Sequence, residues 1–426
     1  MAHTATNDRR SYLFHNAKLF DPRRDELVDG VELLVEEDRI KAVSRPDGDI
    51  RDRLRADSAV KIDLRGKTLM PGLIDAHVHI FITNLPLQAL ESMPLTLVAI
   101  SAAALMRRML MRGFTSVRDT AGGDFGMKAA CDAGLIEAPR LFIAGMAMSQ
   151  TGGHGDFRRR TQGIVDCPCR AGLHSLARVV DGVPEMVKAV RDELRKGADH
   201  IKLMVSGGVA SPHDPLESLQ FRVDEIEAAC QEATNWGKYV CAHAYSAEAV
   251  TRAVRAGVRS IEHGNMIDES TAQVMAEHQA FLVPTLVTYD TINRHAAKIG
   301  LPPKSREAND VVRKAGLRSL EIARRAGVEI GLGTDLLGEL HEEQSREFLI
   351  RQEVERPVEI LRSATLINAR ILRRERELGE LVPGALADLL VVDGDPLRDL
   401  ALLQDQGKHM PVIMKGGKLF KNLPLE

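Results

Sequence analysis

Aromatic side chains are scarce, making up 4% of the 426 residues with Trp236 the one tryptophan. Stacking platforms for nucleobases are correspondingly few. Charge of one sign is lacking too, since 57 Lys+Arg face 60 Asp+Glu for a formal net charge of -3. Without a basic footprint, nucleic acid is not an expected partner. Cysteine is rare and odd in number: Cys131, Cys167, Cys169, Cys230 and Cys241. Such usage suits a reducing cytosol and not a disulfide framework, and Cys167 with Cys169 is too isolated a pair to mark a zinc site. No stretch of about 18 apolar residues occurs, and the segment MAHTATNDRRSYLFHNAKLF has no apolar core. Neither a membrane partner nor export is expected, which leaves the cytoplasm as the expected location.

What is present suffices for a large core, with 44% hydrophobic and 27% charged residues. At about 150 residues per domain, the length fits two or three domains or one large α/β barrel with additions. Between Gly66 and Arg373 short β-branched runs alternate with helical patterns. The runs are LMPGLIDAHVHI (69–80), FTSVRDT (114–120), RLFIAGMAM (140–148), DHIKLMVS (199–206), KYVCAHAY (238–245), RSIEHG (259–264), AFLVPT (280–285) and VEIGLGTD (328–335). Helical segments such as LTLVAISAAALMRRMLMRG, PEMVKAVRDELRKG and DEIEAACQEATNWG lie between them, each closing on glycine. Eight such units point to an α/β fold of the (β/α)8 TIM-barrel type, with the active site at the C-terminal strand ends. A doubly wound open sheet is disfavoured because the first βα turn has no glycine-rich dinucleotide fingerprint.

Both flanks read differently. Residues 11–64 and 385–420 carry short alternating segments such as YLFHNAKLF, VELLVEE and ALADLLVVDG. Neither flank can bury a face alone, so 1–65 and 376–426 are expected to form one small composite β-sandwich around a barrel of 66–375. Three polar segments, 149–183, 207–222 and 286–308, are expected as long loops that wall a substrate pocket.

The ionisable residues fall at the strand ends. His77 and His79 are two apart on one strand, so both side chains point to one face. Lys202 ends DHIK, His243 ends YVCAH, His263 ends SIEH and Asp335 ends IGLGTD. Any one of these alone reads as a core histidine or a solvated strand end; all six at C-terminal strand ends of one barrel point to a site. Imidazole and carboxylate suit Zn²⁺ and related first-row metals, and no cysteine falls at these positions. A buried ammonium beside a dication would be strongly destabilised, so Lys202 is expected to be neutral or chemically altered.

This set resembles the amidohydrolase superfamily, in particular its members with two bridged metals. The resemblance extends over PGLIDAHVH (71–79) and LVPGALADLLVVDGDPL (381–397). It implies that His77, His79 and Asp335 hold one divalent ion and His243 and His263 a second, with carbamylated Lys202 and a hydroxide nucleophile bridging them. Asp335 would shuttle the proton to the leaving nitrogen. The segments TGGHGD, KLMVSGGVASPHD, CAHAYS and GTDLLGELHEEQSRE are similar to the Xaa-Pro dipeptidase and metallocarboxypeptidase group, which includes ochratoxin-hydrolysing amidases. In that group the histidine of GGHG and the tyrosine of HAY face the substrate, which here are His154 and Tyr245.

The implied reaction is release of a C-terminal amino acid from an N-acyl amino acid or dipeptide, ochratoxin A included. Other two-metal chemistry, on cyclic amides, lactones or phosphotriesters, is the alternative, followed by a scaffold without catalysis. Tyr245 would donate to the carbonyl oxyanion, His154 would contact substrate, and Arg158, Arg159 and Arg160 offer carboxylate binding or a merely solvated charge run. His200 is expected in a lower barrel layer, and His213 and His341 on a loop or helix surface. A homo-oligomer, up to an octamer, is what the resemblance implies for assembly.

Overall fold

The computed structural model describes residues 11–44, 58–85, 90, 93–158, 176–209, 214–296, 299 and 303–425. Arg159, Arg160, Cys167, Cys169 and His213 lie outside the described residues. The chain divides into two compact units, one drawn from Met1–Ile74, Arg108–Thr115 and Arg356–Glu426, the other from Asp75–Arg107 and Ser116–Glu355.

The first strands are β1 (Tyr12–Leu19), β2 (Val28–Glu36), β3 (Arg39–Ser44), β4 (Val60–Asp63) and β5 (Thr68–Pro71). In β2 the alternation puts Val31, Leu33 and Val35 on one face, all fully buried, as a period of two requires. Asn16, at a positive φ of 57°, accompanies a register shift in β1; asparagine tolerates that left-handed backbone better than most residues.

The middle of the chain alternates strand and helix. It runs through β6 (Leu73–Val78), α1 (Leu95–Met111), β7 (Phe114–Asp119), α2 (Phe125–Asp132), β8 (Arg140–Ile143), β9 (Ala147–Ser149), β10 (Ala177–Val179), α3 (Val183–Arg195) and β11 (Ile201–Met204). Then come α4 (Val223–Asn235), β12 (Val240–Ser246), α5 (Ala247–Arg255), β13 (Ser260–Met266), α6 (Glu269–Glu277), β14 (Phe281–Val283), α7 (Leu286–His295) and α8 (Pro303–Arg325). One parallel sheet has the order β6-β7-β8 and another β10-β9-β11-β12-β13-β14. Ile201, Leu203, Val240, Ala242, Ala244 and Ile261 pack into one core with apolar residues of α3 to α6. The intervening Lys202, Cys241, His243 and Tyr245 are thereby turned to the opposite face of the sheet.

Two expectations are corrected. Residues 286–308 are not a loop: α7 and the start of α8 occupy most of this range, because apolar Leu286, Val287, Tyr289 and Ile292 recur at helical spacing and are buried. The run 328–335 forms a parallel bridge between Leu282 and Ile330 in place of a full strand, since Gly331 and Gly333 weaken strand pairing. At Gly333 a Cβ would lie 2.4 Å from Val283 and 2.8 Å from the His77 Cβ, so only glycine allows the chain this close to His77.

The last strands are β15 (Leu389–Val392), β16 (Val412–Lys415) and β17 (Lys418–Asn422). They join the first ones in an eight-stranded sheet of order β17-β16-β15-β5-β1-β2-β3, with β4 on β1. The junction is the antiparallel pairing of β5 with β15, and Phe14, Leu33, Leu69, Leu389, Val391 and Val412 share the core beneath it. Among the described residues no helix is long and apolar enough to cross a membrane.

Candidate active site

His77 lies on β6, with His79 one residue past its end, Lys202 on β11, His243 and Tyr245 on β12, and His263 on β13. Asp335 ends the glycine-interrupted eighth run, whose backbone is tied to β6 by the Asp335 N–H donating to the His77 carbonyl at 2.8 Å. His77, His263 and Asp335 each bring a ligating atom within 4.8 Å of the others. His79 Nε2 is 3.0 Å from Asp335 Oδ1 and His77 Nε2 is 3.4 Å from the same oxygen. The His243 ring lies 4.7 Å, centroid to centroid, from that of His263. Lys202 is 1% exposed, and its charge weighs on His79, His243 and His263.

The second nitrogen of each imidazole is already tied. His77 Nδ1–H donates to Glu262 Oε2 at 2.8 Å, His79 Nδ1–H to the Ala121 carbonyl at 3.0 Å and His243 Nε2–H to the Gly207 carbonyl at 3.1 Å. His263 Nδ1 is 2.7 Å from Thr285 Oγ1. A carboxylate and two carbonyls only accept, so the tautomers of the first three rings follow. His77 Nε2, His79 Nε2 and His243 Nδ1 carry the lone pairs, and the first two point at one carboxylate oxygen. Lone pairs in that arrangement repel unless a proton or a metal ion stands among them. The donor set of neutral imidazoles and one carboxylate fits Zn²⁺ or a similar divalent ion.

Among the histidines, His243 and His263 fit the neutral form. Burial, with the charges of His154 and His263, holds His243 well below the usual imidazole range, and burial does the same for His263. Burial works against Asp335 ionising, yet positive charge standing between it and the His77 and His79 rings, a proton on Nε2, holds its carboxyl well below the usual range. For His79 burial is likewise outweighed, here by Asp335, so its imidazole is pushed up.

Beneath these side chains lies a buried polar frame that sequence reading missed. Arg118 is fully buried and donates to Ser260 Oγ at 3.0 Å and Glu262 Oε1 at 2.7 Å. Although burial opposes it, the Arg118 charge and the His77 bond hold Glu262 well below the usual carboxylate range. Asp75 spans two elements: its carboxylate accepts from the His77 N–H, from Thr334 Oγ1 at 2.6 Å and from Gln344 Nε2 at 2.8 Å. Asp119 accepts from the N–H groups of Ile80, Ala121 and Gly123, and burial still pushes its carboxyl up to about 6. Glu262 directly precedes His263, and Arg118 sits in a β-branched run; neither position carries a signal beyond a charge inside an apolar strand. Arg118→Leu should cost about 3–5 kcal/mol, read as a fall in the urea midpoint, because it strands the Glu262 carboxylate in the interior.

Three backbone outliers mark the same site: His263 at φ 79°, Thr285 at 47° and Asp335 at 51°. Non-glycine residues hold such conformations only when their surroundings over-determine them. Tyr245 is buried, with its hydroxyl 3.0 Å from that of Tyr289 and its ring 4.8 Å from His243. His154 stacks on His243 at 4.2 Å, with Nδ1 3.6 Å from Asp214 Oδ2. Arg158 is engaged in a bidentate pair with Asp156, both bonds 2.6 Å. His200 is buried on the ring of Tyr239, and burial lowers it well below the usual imidazole range. His341 lies buried in a short helical turn, Gly338–Glu343, and not on a surface.

The amidohydrolase family model matches residues 68–419. The ochratoxinase of Aspergillus niger is 32% identical over 369 residues, covering 84% of this chain and 76% of its own. A solved amidohydrolase superposes with a TM-score of 0.92 at 49% identity, covering 98% of this chain and 100% of its own. A prolidase solved with N-methylphosphonate-L-proline gives 0.91 at 45% identity, covering 97% and 100%. With relatives of that kind, the fold is α/β of the TIM-barrel-like type. The chain belongs to the amidohydrolase family, as a hydrolase of amide or peptide bonds.

Proposed function

We propose that the chain removes the C-terminal amino acid from an N-acyl amino acid or dipeptide, with ochratoxin A as one such amide. The carrying observation is the convergence of buried His77 and His79, each with its Nδ1 tied elsewhere, on the Asp335 carboxylate, with the rings of His263 and His243 packed beside them. The similarity to a prolidase and an ochratoxinase supports the substrate class. His77, His79, His243, His263 and Asp335 would hold two Zn²⁺ ions, with Lys202 as a bridging carbamate. When bound, such ions polarise the scissile carbonyl and make water acidic enough to attack at neutral pH.

The protein's own groups do the rest. Asp335, held ionised, accepts the proton of the attacking water and returns it to the leaving nitrogen. Tyr245 donates its hydroxyl hydrogen to the carbonyl oxygen as negative charge develops there. His154, stacked on His243, forms a wall against the substrate.

Closure of the strands into a (β/α)8 barrel is supported by links beyond the two parallel sheets. Asp199 N–H donates to the Ile143 carbonyl at 2.7 Å, joining β8 to β11, and Ala76 N–H to the Leu332 carbonyl at 2.8 Å, joining β6 to the eighth run. The sheet shared by both chain ends supports a composite terminal domain, proposed as a small sandwich of 1–65 and 376–426 around a barrel of 66–375.

The test is a screen of N-acyl amino acids, Xaa-Pro and other dipeptides and ochratoxin A, with lactones and phosphotriesters as outgroups. Amino acid release that chelation abolishes and Zn²⁺ restores is the expected result. Turnover confined to lactones or phosphotriesters overturns the reading.

A further inference from the structure

We propose that Thr285 and Tyr289, both on the rim of α7, are positioning residues that fix the direction of the Tyr245 hydroxyl through a one-way hydrogen-bond chain starting at His263. The inference rests on the amide-hydrolase reading above and adds two residues to it. The chain has three links. His263 Nδ1 meets Thr285 Oγ1 at 2.7 Å. Tyr289 stands one helical turn on from Thr285, with its ring 6.1 Å from that of His263, and the Thr285 hydroxyl favours negative charge on the Tyr289 oxygen as a donor would. The Tyr289 hydroxyl in turn lies 3.0 Å from that of Tyr245.

Direction follows from counting donors and acceptors. Once His263 offers Nε2 as a ligand atom, its Nδ1 carries hydrogen and, 4.0 Å from Asp335 Oδ2 but 2.7 Å from Thr285 Oγ1, donates to the nearer hydroxyl. The Thr285 hydrogen is then free for Tyr289, and the Tyr289 hydrogen for Tyr245. Tyr245 thus accepts from the Tyr289 hydroxyl. Its own hydrogen has no partner within this chain of bonds and is left for the substrate oxygen. A tyrosine held this way is a donor toward the substrate, which is the role an oxyanion needs.

The surroundings strengthen the effect. Tyr245 and Tyr289 are 3% and 2% exposed and share an apolar cluster with Val209, Leu216 and Val312. In such a medium each bond polarises the next. Thr285 holds a left-handed backbone at φ 47° as the residue before α7. That conformation is costly for a β-branched residue. The Glu347 carboxylate accepts from the Val287 N–H at 2.6 Å and anchors the first turn of α7. The strain is therefore held in place from outside the site.

Two measurements decide the matter. In a double-mutant cycle, Tyr245→Phe should lower kcat by about 10²-fold and Tyr289→Phe by about tenfold, the worth of one hydrogen bond, with KM little changed in either. The double variant Y245F/Y289F should be no slower than Y245F, because Tyr289 acts only through Tyr245. Additive losses, or an unchanged Y289F, overturn the chain. The second measurement is Zn²⁺ affinity by chelator competition, which needs no substrate. Thr285→Ala should weaken it by about tenfold or more, and Thr285→Ser should restore it. Equal affinity in wild type and T285A, with both folded, overturns the first link. Should wild type release no amino acid from any amide, the functional reading fails while the His263–Thr285 link still stands or falls on the metal measurement.

Discussion

Asp335→Asn should leave a folded chain whose kcat is lower by about 10²- to 10⁴-fold, the range of a lost general acid–base group. The substitution keeps the shape of the side chain and the backbone bond to His77, so circular dichroism and thermal midpoint should move little. What it removes is charge and basicity. In the native site the carboxylate faces His77 Nε2 and His79 Nε2, and those rings keep it ionised despite burial. An amide there neither takes a proton from water nor hands one to a leaving nitrogen. It also offers a neutral oxygen where two imidazole lone pairs converge, so metal content should be measured alongside turnover. Normal turnover by the Asn variant would refute the shuttle.

On the proposed two-metal reading, Lys202→Ala should lower the Zn²⁺ content of the chain by at least one ion and abolish measurable amide hydrolysis. Lys202 is buried on β11, and its charge bears on three of the four histidines. An unmodified ammonium there would raise the cost of bringing in a dication, whereas a carbamate on the same nitrogen would lower it. Removing the side chain deletes that anion and opens a cavity. Lys202→Met separates the two effects, since it keeps most of the volume while offering no amine. Both variants are expected to come up short of metal by elemental analysis. Full metal content and turnover in the Met variant would refute the bridging role.

How much of this was legible in the sequence differs by residue. His77 and His79 declare themselves by a spacing of two on a strand, and His243, His263 and Asp335 by closing apolar runs. Tyr245 follows His243 on the same face and could be read with it. Glu262, Arg118 and Asp75 could not be singled out, because a charge inside an apolar strand does not say which distant residue will neutralise it. Arg118 and Glu262 lie 144 positions apart. Residues 286–308 were misjudged for a related reason: polar residues interrupt their helical spacing, and burial of Leu286, Tyr289 and Ile292 decides in favour of helix. Thr285 and Tyr289 carry no local signal at all, since a hydroxyl becomes part of a relay only when the backbone brings its neighbours within 3 Å.

The sequence alone determined the alternation of strand and helix, the union of both chain ends and the residue types at the strand termini. Each of these follows from periodicity and from side chains that must sit on one face of a strand. Only the tertiary structure decided which nitrogen of each histidine is tied and where the buried ion pair runs. It alone also set Thr285 against His263 and Tyr289 against Tyr245. Those are properties of contacts between residues far apart in the chain, and no local pattern of amino acids encodes the distance between them.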